Sequence, residues 1–116
     1  MLPKKHRLKQ QREFNKIYRN GKKYSGRYFL LIADITAESG DYQNTRFGFV
    51  ASKKVGKAVK RNLAKRKLRA IVAQEIPKLK PGYNCIFIAF SSLVDADHTL
   101  LTTEVIKAFK SLSMYR

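Results

Sequence analysis

Residues 46–76 read RFGFVASKKVGKAVKRNLAKRKLRAIVAQEI, and the way this segment divides sets the fold. Arg46 to Ser52 is rich in aromatic and branched side chains and is expected to be a strand. Lys57 to Ile76 is the longest helical candidate, stopped by Pro77, whose ring and missing N–H end an α-helix. At about 100° per residue, Ala64, Leu68, Ile71 and Val72 lie roughly 120–220° from Val59 and form a core stripe. Arg61, Asn62, Lys65, Arg66 and Arg69 lie at roughly 200–340°, an arc that contains no acid. Val59, Leu63 and Ala70 give a second, smaller apolar patch near about 0–40°. Such a helix can lie on a sheet while offering a row of cations to one side.

Upstream, Glu13 to Asn20 is expected to be a short helix, with Phe14, Ile17 and Tyr18 on one face and Gly21 as its stop. Tyr24 to Ile35 reads as one strand, and Ser39-Gly40-Asp41 with Asn44 marks the loop after it. That loop is short, so the strand from Arg46 is expected to run antiparallel to the first. Downstream, Pro81-Gly82 is a turn. Tyr83 to Phe90 is apolar at nearly every position, which suits a central strand covered on both faces. Asp97 or Thr99 is placed to cap a last helix through Leu112, with Leu101, Val105, Ala108 and Leu112 inward. The order is α-β-β-α-β-α: an α+β two-layer sandwich around a small sheet, one domain over residues 1–116. Residues 1–12 read as a basic, mobile N-terminal arm.

The net charge is +17, and its distribution matters more than its size. Residues 1–23 hold nine Lys or Arg against Glu13 alone, and residues 53–69 hold nine against none. The other 76 residues carry seven of each sign. A surface that meets a polyanion concentrates its cations in this way, whereas a merely solvated face interleaves both signs. No apolar run approaches the roughly 20 residues that span a bilayer, and the basic N-terminus has no apolar signal region. Cys85 is the only cysteine, which excludes an internal disulfide, fits a reducing cytoplasm and reads as a small buried hydrophobe. Charge alone would also suit a ribosomal protein, a polybasic membrane-surface protein or a DNA-packaging protein. The last two lack an apolar or lipid anchor and a groove-reading element.

The chemistry available is phosphate recognition. Arginine's planar fork grips phosphate oxygens in pairs, and Asn62 can add a bond to sugar or base. Gly56 lets the backbone turn into the helix, which sets Lys53, Lys54 and Lys57 near its positive end. This is not a Walker A loop, since the glycine-rich run and the Lys-Ser/Thr ending are missing. Hydrolysis by the chain itself has little to work with. Its eight acids are scattered: Asp34, Glu38 and Asp41 suit turns, and Asp95 and Asp97 suit a helix start. His6, in the arm, and His98 are solitary, and no metal-ligand spacing is present.

The stretch from Ser52 to Arg69, SKKVGKAVKRNLAKRKLR, closely resembles the signature of bacterial ribonuclease P proteins. Arg7-Leu8, Arg12-Glu13-Phe14, Ile17-Tyr18, Gly21 and Arg27 to Leu30 follow that family in the same order. Two positions depart from it: Leu63 stands where the family usually has Arg, with Lys60 and Lys67 as neighbours, and Leu31 where it often has an aromatic. The resemblance implies a protein subunit that binds the ribonuclease P RNA and the 5′ leader of precursor tRNA during leader removal. It implies that the RNA subunit carries the active site and the Mg²⁺ ions, so that this chain holds no cofactor, metal or catalytic residue. It implies that Lys53, Lys54, Lys57, Lys60, Arg61, Asn62, Lys65, Arg66 and Arg69 dock on the catalytic RNA. Phe14, Tyr18, Arg27 and Phe29 would line a leader cleft, and a β-α-β crossover would be left-handed. The expected partners are the two RNAs, with no membrane and no stable protein partner, in the cytoplasm.

Overall fold

Side chains alternate along a strand, so the two apolar sets on adjacent strands fix which face each helix covers. The computed structural model describes residues 2, 4–8, 10–35 and 45–116. Strands β1 (Lys22–Ser25), β2 (Phe29–Ile35), β3 (Arg46–Ala51) and β4 (Tyr83–Ala89) form one sheet in the order β1-β2-β4-β3. β4 pairs antiparallel with β2, Phe29 opposite Ala89, and parallel with β3, Arg46 opposite Asn84. One face, with Ile32 and Ile86 at its centre and Leu30, Val50 and Ile88 around them, packs under Ile17 of α1 (Gln11–Asn20). The other, with Phe29, Leu31, Phe47, Cys85 and Phe87, lies beneath α2 (Ala58–Glu75) and α3 (His98–Ser111). β4 is therefore covered on both sides, which is why it is apolar nearly throughout.

Three expectations change here. Tyr24 to Ile35 is a hairpin rather than one strand: Gly26 N–H donates to the Phe29 carbonyl at 2.8 Å, and β1 folds back on β2. β3 does run opposite to β2 but does not pair with it, because α2 carries the chain across to β4, which inserts between them. The chain order is thus α-β-β-β-α-β-α, and helices lie on both faces of the sheet instead of one. The class remains α+β, with a small mixed sheet. The loop expected at Ser39 to Asn44 lies outside the described residues.

The N-terminal segment is docked, not a free arm. Leu2 and Leu8 are buried, Leu8 N–H donates to the Phe47 carbonyl at 3.0 Å, and Arg7 bridges β3 in parallel. His6 Nδ1 donates to the Thr45 carbonyl at 2.8 Å, so His6 is held as well.

In α2 the stripe Ala64, Leu68, Ile71 and Val72 is buried as its spacing requires. The second patch is covered only at Leu63, which is half-buried: Val59 is 78% exposed and Ala70 is exposed too. Glu75 is buried at the helix end, where Tyr115 Oη donates to its Oε1 at 2.7 Å. Lys67 Nζ donates to the carbonyls of Val94 (2.6 Å) and Ala96 (3.2 Å), tying α2 to the approach of α3. Asp97 caps α3 by accepting from Thr99 N–H at 3.1 Å, and Leu101, Val105, Ala108 and Phe109 point inward.

Candidate nucleic-acid interface

The basic loop is shaped by three small features. Ser52 Oγ accepts from Lys54 N–H at 3.3 Å, Val55 is buried as a plug, and Gly56 takes φ +138°. A Cβ at Gly56 would meet the Lys60 side chain at 2.9 Å, and its φ lies where L side chains are strained. The result is a tight 3-10 turn that leaves Lys53, Lys54 and Lys57 exposed around the first turn of α2. The helix dipole there favours an anion.

Along α2, Lys60, Asn62 and Arg66 are exposed, while Arg61, Lys65 and Arg69 are half-buried on the next flank. Among the described residues Arg61 Nε is buried with no hydrogen-bond partner, which leaves the guanidinium a donor. Among the described residues the ion pairs join Arg46 to Glu13, Lys78 to Glu75 and Lys107 to Glu104; none takes a cation from 53–69. Among the described residues, then, no acid neutralises the basic arc. Of the two neighbours of Leu63, Lys67 donates to two carbonyls and Lys60 is exposed.

Arg27 sits on the β1–β2 turn, its guanidinium 5.4 Å from the Tyr28 ring centre. Its carbonyl accepts from Ser92 Oγ at 3.1 Å, and the turn Ser91–Leu93 packs against the Lys53–Val55 turn. Arg27 therefore belongs to the basic end of the sheet. It does not line the cavity at β3.

That cavity, of about 310 Å³, opens at the outer edge of β3, beside the docked N-terminal segment, and is lined by Arg7, Leu8, Phe14, Gly48, Phe49 and Arg69, with Leu2 and Phe47. Phe14 lies directly on Gly48: a Cβ there would stand 2.5 Å from the ring. Glu13 pins this part of α1 to the edge by a 2.6 Å ion pair with Arg46, whose Nε also donates to Asn84 Oδ1 at 3.1 Å. Arg69 reaches over the Phe49 ring, 5.7 Å from its centre. Such an arrangement combines aromatic faces with guanidinium groups, the chemistry suited to a single nucleic-acid strand.

Of the residues for which the resemblance implies a leader cleft, Phe14 lines this cavity, whereas Tyr18, one turn on and 38% exposed, is not among its described lining residues. Phe29 is a correction. It is fully buried, edge-to-face with Phe87 at 5.1 Å, because strand alternation turns it beneath α2 and α3. Phe49 and Arg7 went unassigned, although a glycine flanked by two phenylalanines in an edge strand is a legible sign of close approach. Burial, then the charge of Asp34, pushes the Cys85 thiol pKa up, so it is a core group. Among the described residues no three His, Cys, Asp or Glu side chains gather as a metal site, and no helix is long and apolar enough to cross a membrane.

Residues 2–113 match the family model described as Ribonuclease P. The chain belongs to the ribonuclease P protein family. The ribonuclease P protein component of Syntrophomonas wolfei is 31% identical over 115 residues, covering 99% of this chain and 93% of the relative. That of Nitratiruptor is 39% identical over 107 residues, 90% of each chain. In three dimensions, the RNase P protein of Staphylococcus aureus superposes with a TM-score of 0.83 at 24% identity, covering 96% of this chain and 98% of that one. The Thermotoga maritima protein gives 0.78 at 25% identity, over 91% and 96%. Membership makes this chain the protein component of ribonuclease P, a subunit of the tRNA-processing ribonucleoprotein and a partner of its RNA.

Proposed function

We propose that the unpaired cations at the start of α2 dock on the catalytic RNA while the β3-edge cavity takes the single-stranded 5′ leader of precursor tRNA. In this reading Lys53, Lys54, Lys57, Lys60, Arg61, Asn62, Lys65 and Arg66 face the catalytic RNA, joined by Arg27. Phe14 and Phe49 offer ring faces to leader bases, Tyr18 extends them along α1, and Arg7 and Arg69 meet the phosphates. Stacking on rings is worth about 1–3 kcal/mol per base and tolerates any sequence, as leaders of varied sequence require. Bond cleavage, and the Mg²⁺ it uses, are assigned to the RNA subunit. Three of the described acids have structural partners instead: Glu13 on Arg46, Glu75 on Tyr115 and Asp97 on the Thr99 N–H.

The observation that carries this reading is the joining of an aromatic cavity to the acid-free cationic arc of α2 through Arg69, which belongs to both. Two variants test it. Arg66→Ala should lower the slope of log K against log salt for the catalytic RNA by about 0.7–0.9, one phosphate contact. Phe14→Ala should weaken binding of substrates with long leaders and spare those with almost none. An unchanged slope would remove α2 from the RNA interface, and a loss independent of leader length would remove the cavity from the substrate path.

A further inference from the structure

A second cationic cavity lies at the opposite end of α2. The helix has 18 residues and so spans about 27 Å at roughly 1.5 Å per residue. Past its C-terminus, a cavity of about 280 Å³ is lined by Ile76, Pro77, Leu79 and Pro81 together with Lys5, His6, Thr45 and Arg116. Among the described residues, no acidic side chain lines it. Glu75, buried nearby, has its carboxylate held by Tyr115 Oη and Lys78. Lys78 and Lys80 are exposed beside it and add to the positive field.

The walls are held in place. Thr45 is the hub: its carbonyl accepts from His6 Nδ1 at 2.8 Å, and its Oγ1 donates to the Lys80 carbonyl at 2.6 Å. Arg116 is fixed by donating through Nε to the Leu79 carbonyl at 3.0 Å, and through its backbone N–H to the Lys78 carbonyl at 3.0 Å. Its terminal guanidinium nitrogens and the Lys5 ammonium make no ion pair among the described residues. A lining that combines two prolines with cationic side chains suits a nucleotide, its base or sugar against the apolar residues and its phosphate at the cations. A bare anion would leave the apolar side unused.

Position links this cavity to the first. Arg7 lines the β3-edge cavity while Lys5 and His6 line this one, so the docked N-terminal segment borders both. We infer that the Lys5–His6–Arg116 cavity is a second RNA subsite, taking one unstacked nucleotide of the strand that occupies the β3-edge cavity. This inference rests on the leader reading above. A strand leaving Phe14 and Phe49 passes Arg7 and sets its next phosphate between Lys5 and Arg116.

The test is the salt dependence of binding of the full chain to two unstructured RNAs. One is long enough only for the β3-edge cavity; the other continues past Arg7. Lys5→Gln and Arg116→Gln should each lower the log–log slope on the long RNA by about 0.7, leaving the short RNA unchanged. Lys5→Arg should restore it, and unfolding temperatures establish that each variant is folded. Unaltered slopes on the long RNA, or equal losses on both RNAs, would overturn the subsite. So would a loss seen only with the catalytic RNA, which would move these cations to a different partner. Phe14→Ala separates the two levels. If it leaves both RNAs bound as in the wild type, the leader reading itself fails; if it weakens both while Lys5→Gln changes neither, only the second subsite fails.

Discussion

Replacing Gly48 by Ala is the sharpest probe of the β3-edge cavity, because its effect should pass through one ring. The added Cβ would lie 2.5 Å from Phe14 Cε1 and Cζ, where ordinary contact begins at 3.4 Å, so the ring must retreat by about 1 Å or swing out. The remaining neighbour, Leu8 Cδ1 at 3.4 Å, is tolerable. Overpacking of this kind costs about 1–3 kcal/mol, set against about 0.5–1 kcal/mol gained by replacing a strand glycine. Because Phe14 borders open space, the net destabilisation should fall near 1 kcal/mol, a drop in Tm of about 4 °C. Leader affinity should fall further, by the worth of one stacked base, about 1–3 kcal/mol or roughly 5- to 150-fold. A double-mutant cycle decides the cause. In a Phe14→Ala background the clash is gone, so Gly48→Ala should become neutral or slightly stabilising, with no added loss of leader affinity. Equal penalties in both backgrounds would refute the account of Phe14 seated on Gly48.

Lys67→Met should cost about 1–2 kcal/mol by freeing the Val94 and Ala96 carbonyls, with no change in salt slope for the catalytic RNA. A slope reduced as much as by Arg66→Ala would make Lys67 an RNA ligand instead of a tether. Tyr115→Phe should destabilise by about 1–3 kcal/mol, because it strips a donor from the buried Glu75 carboxylate. Burial, then the hydrogen bond and charge of Glu75, raises the Tyr115 pKa above its ordinary 10.0. The folded state therefore holds the proton more tightly, and stability should be full below pH 10 and lost as pH rises further. Denaturant titrations across that range should show this loss in the wild type and a shallower one in Tyr115→Phe.

The parts of the fold that could be read from the sequence are those where one period dominates. The stripe from Ala64 to Val72 repeats at helical spacing and ends at Pro77, and β4 is apolar because both its faces are covered. Pairing was harder to read. Short connections usually join neighbours, but here the long α2 crossover returns β4 between β2 and β3, and no local residue signals that insertion. The resemblance implies a cleft position for Phe29, and nothing local corrects it: Phe29, Leu30, Leu31 and Ile32 are all apolar, so alternation leaves no polar phase to reveal the face. The N-terminal segment looked mobile because its charge outweighs two leucines, yet Leu2 and Leu8 are what dock it. Lys67 and Arg69, two residues apart on the same basic helix, have different fates that composition cannot separate: one ties down carbonyls, the other stacks on Phe49.

The most direct measurement is cleavage of a precursor tRNA by a bacterial ribonuclease P RNA at low Mg²⁺, with and without this chain, on substrates of graded leader length. The account predicts strong stimulation that grows as the leader reaches the β3-edge cavity and fades when the leader is removed. RNA binding without stimulation, or stimulation indifferent to the leader, would contradict it.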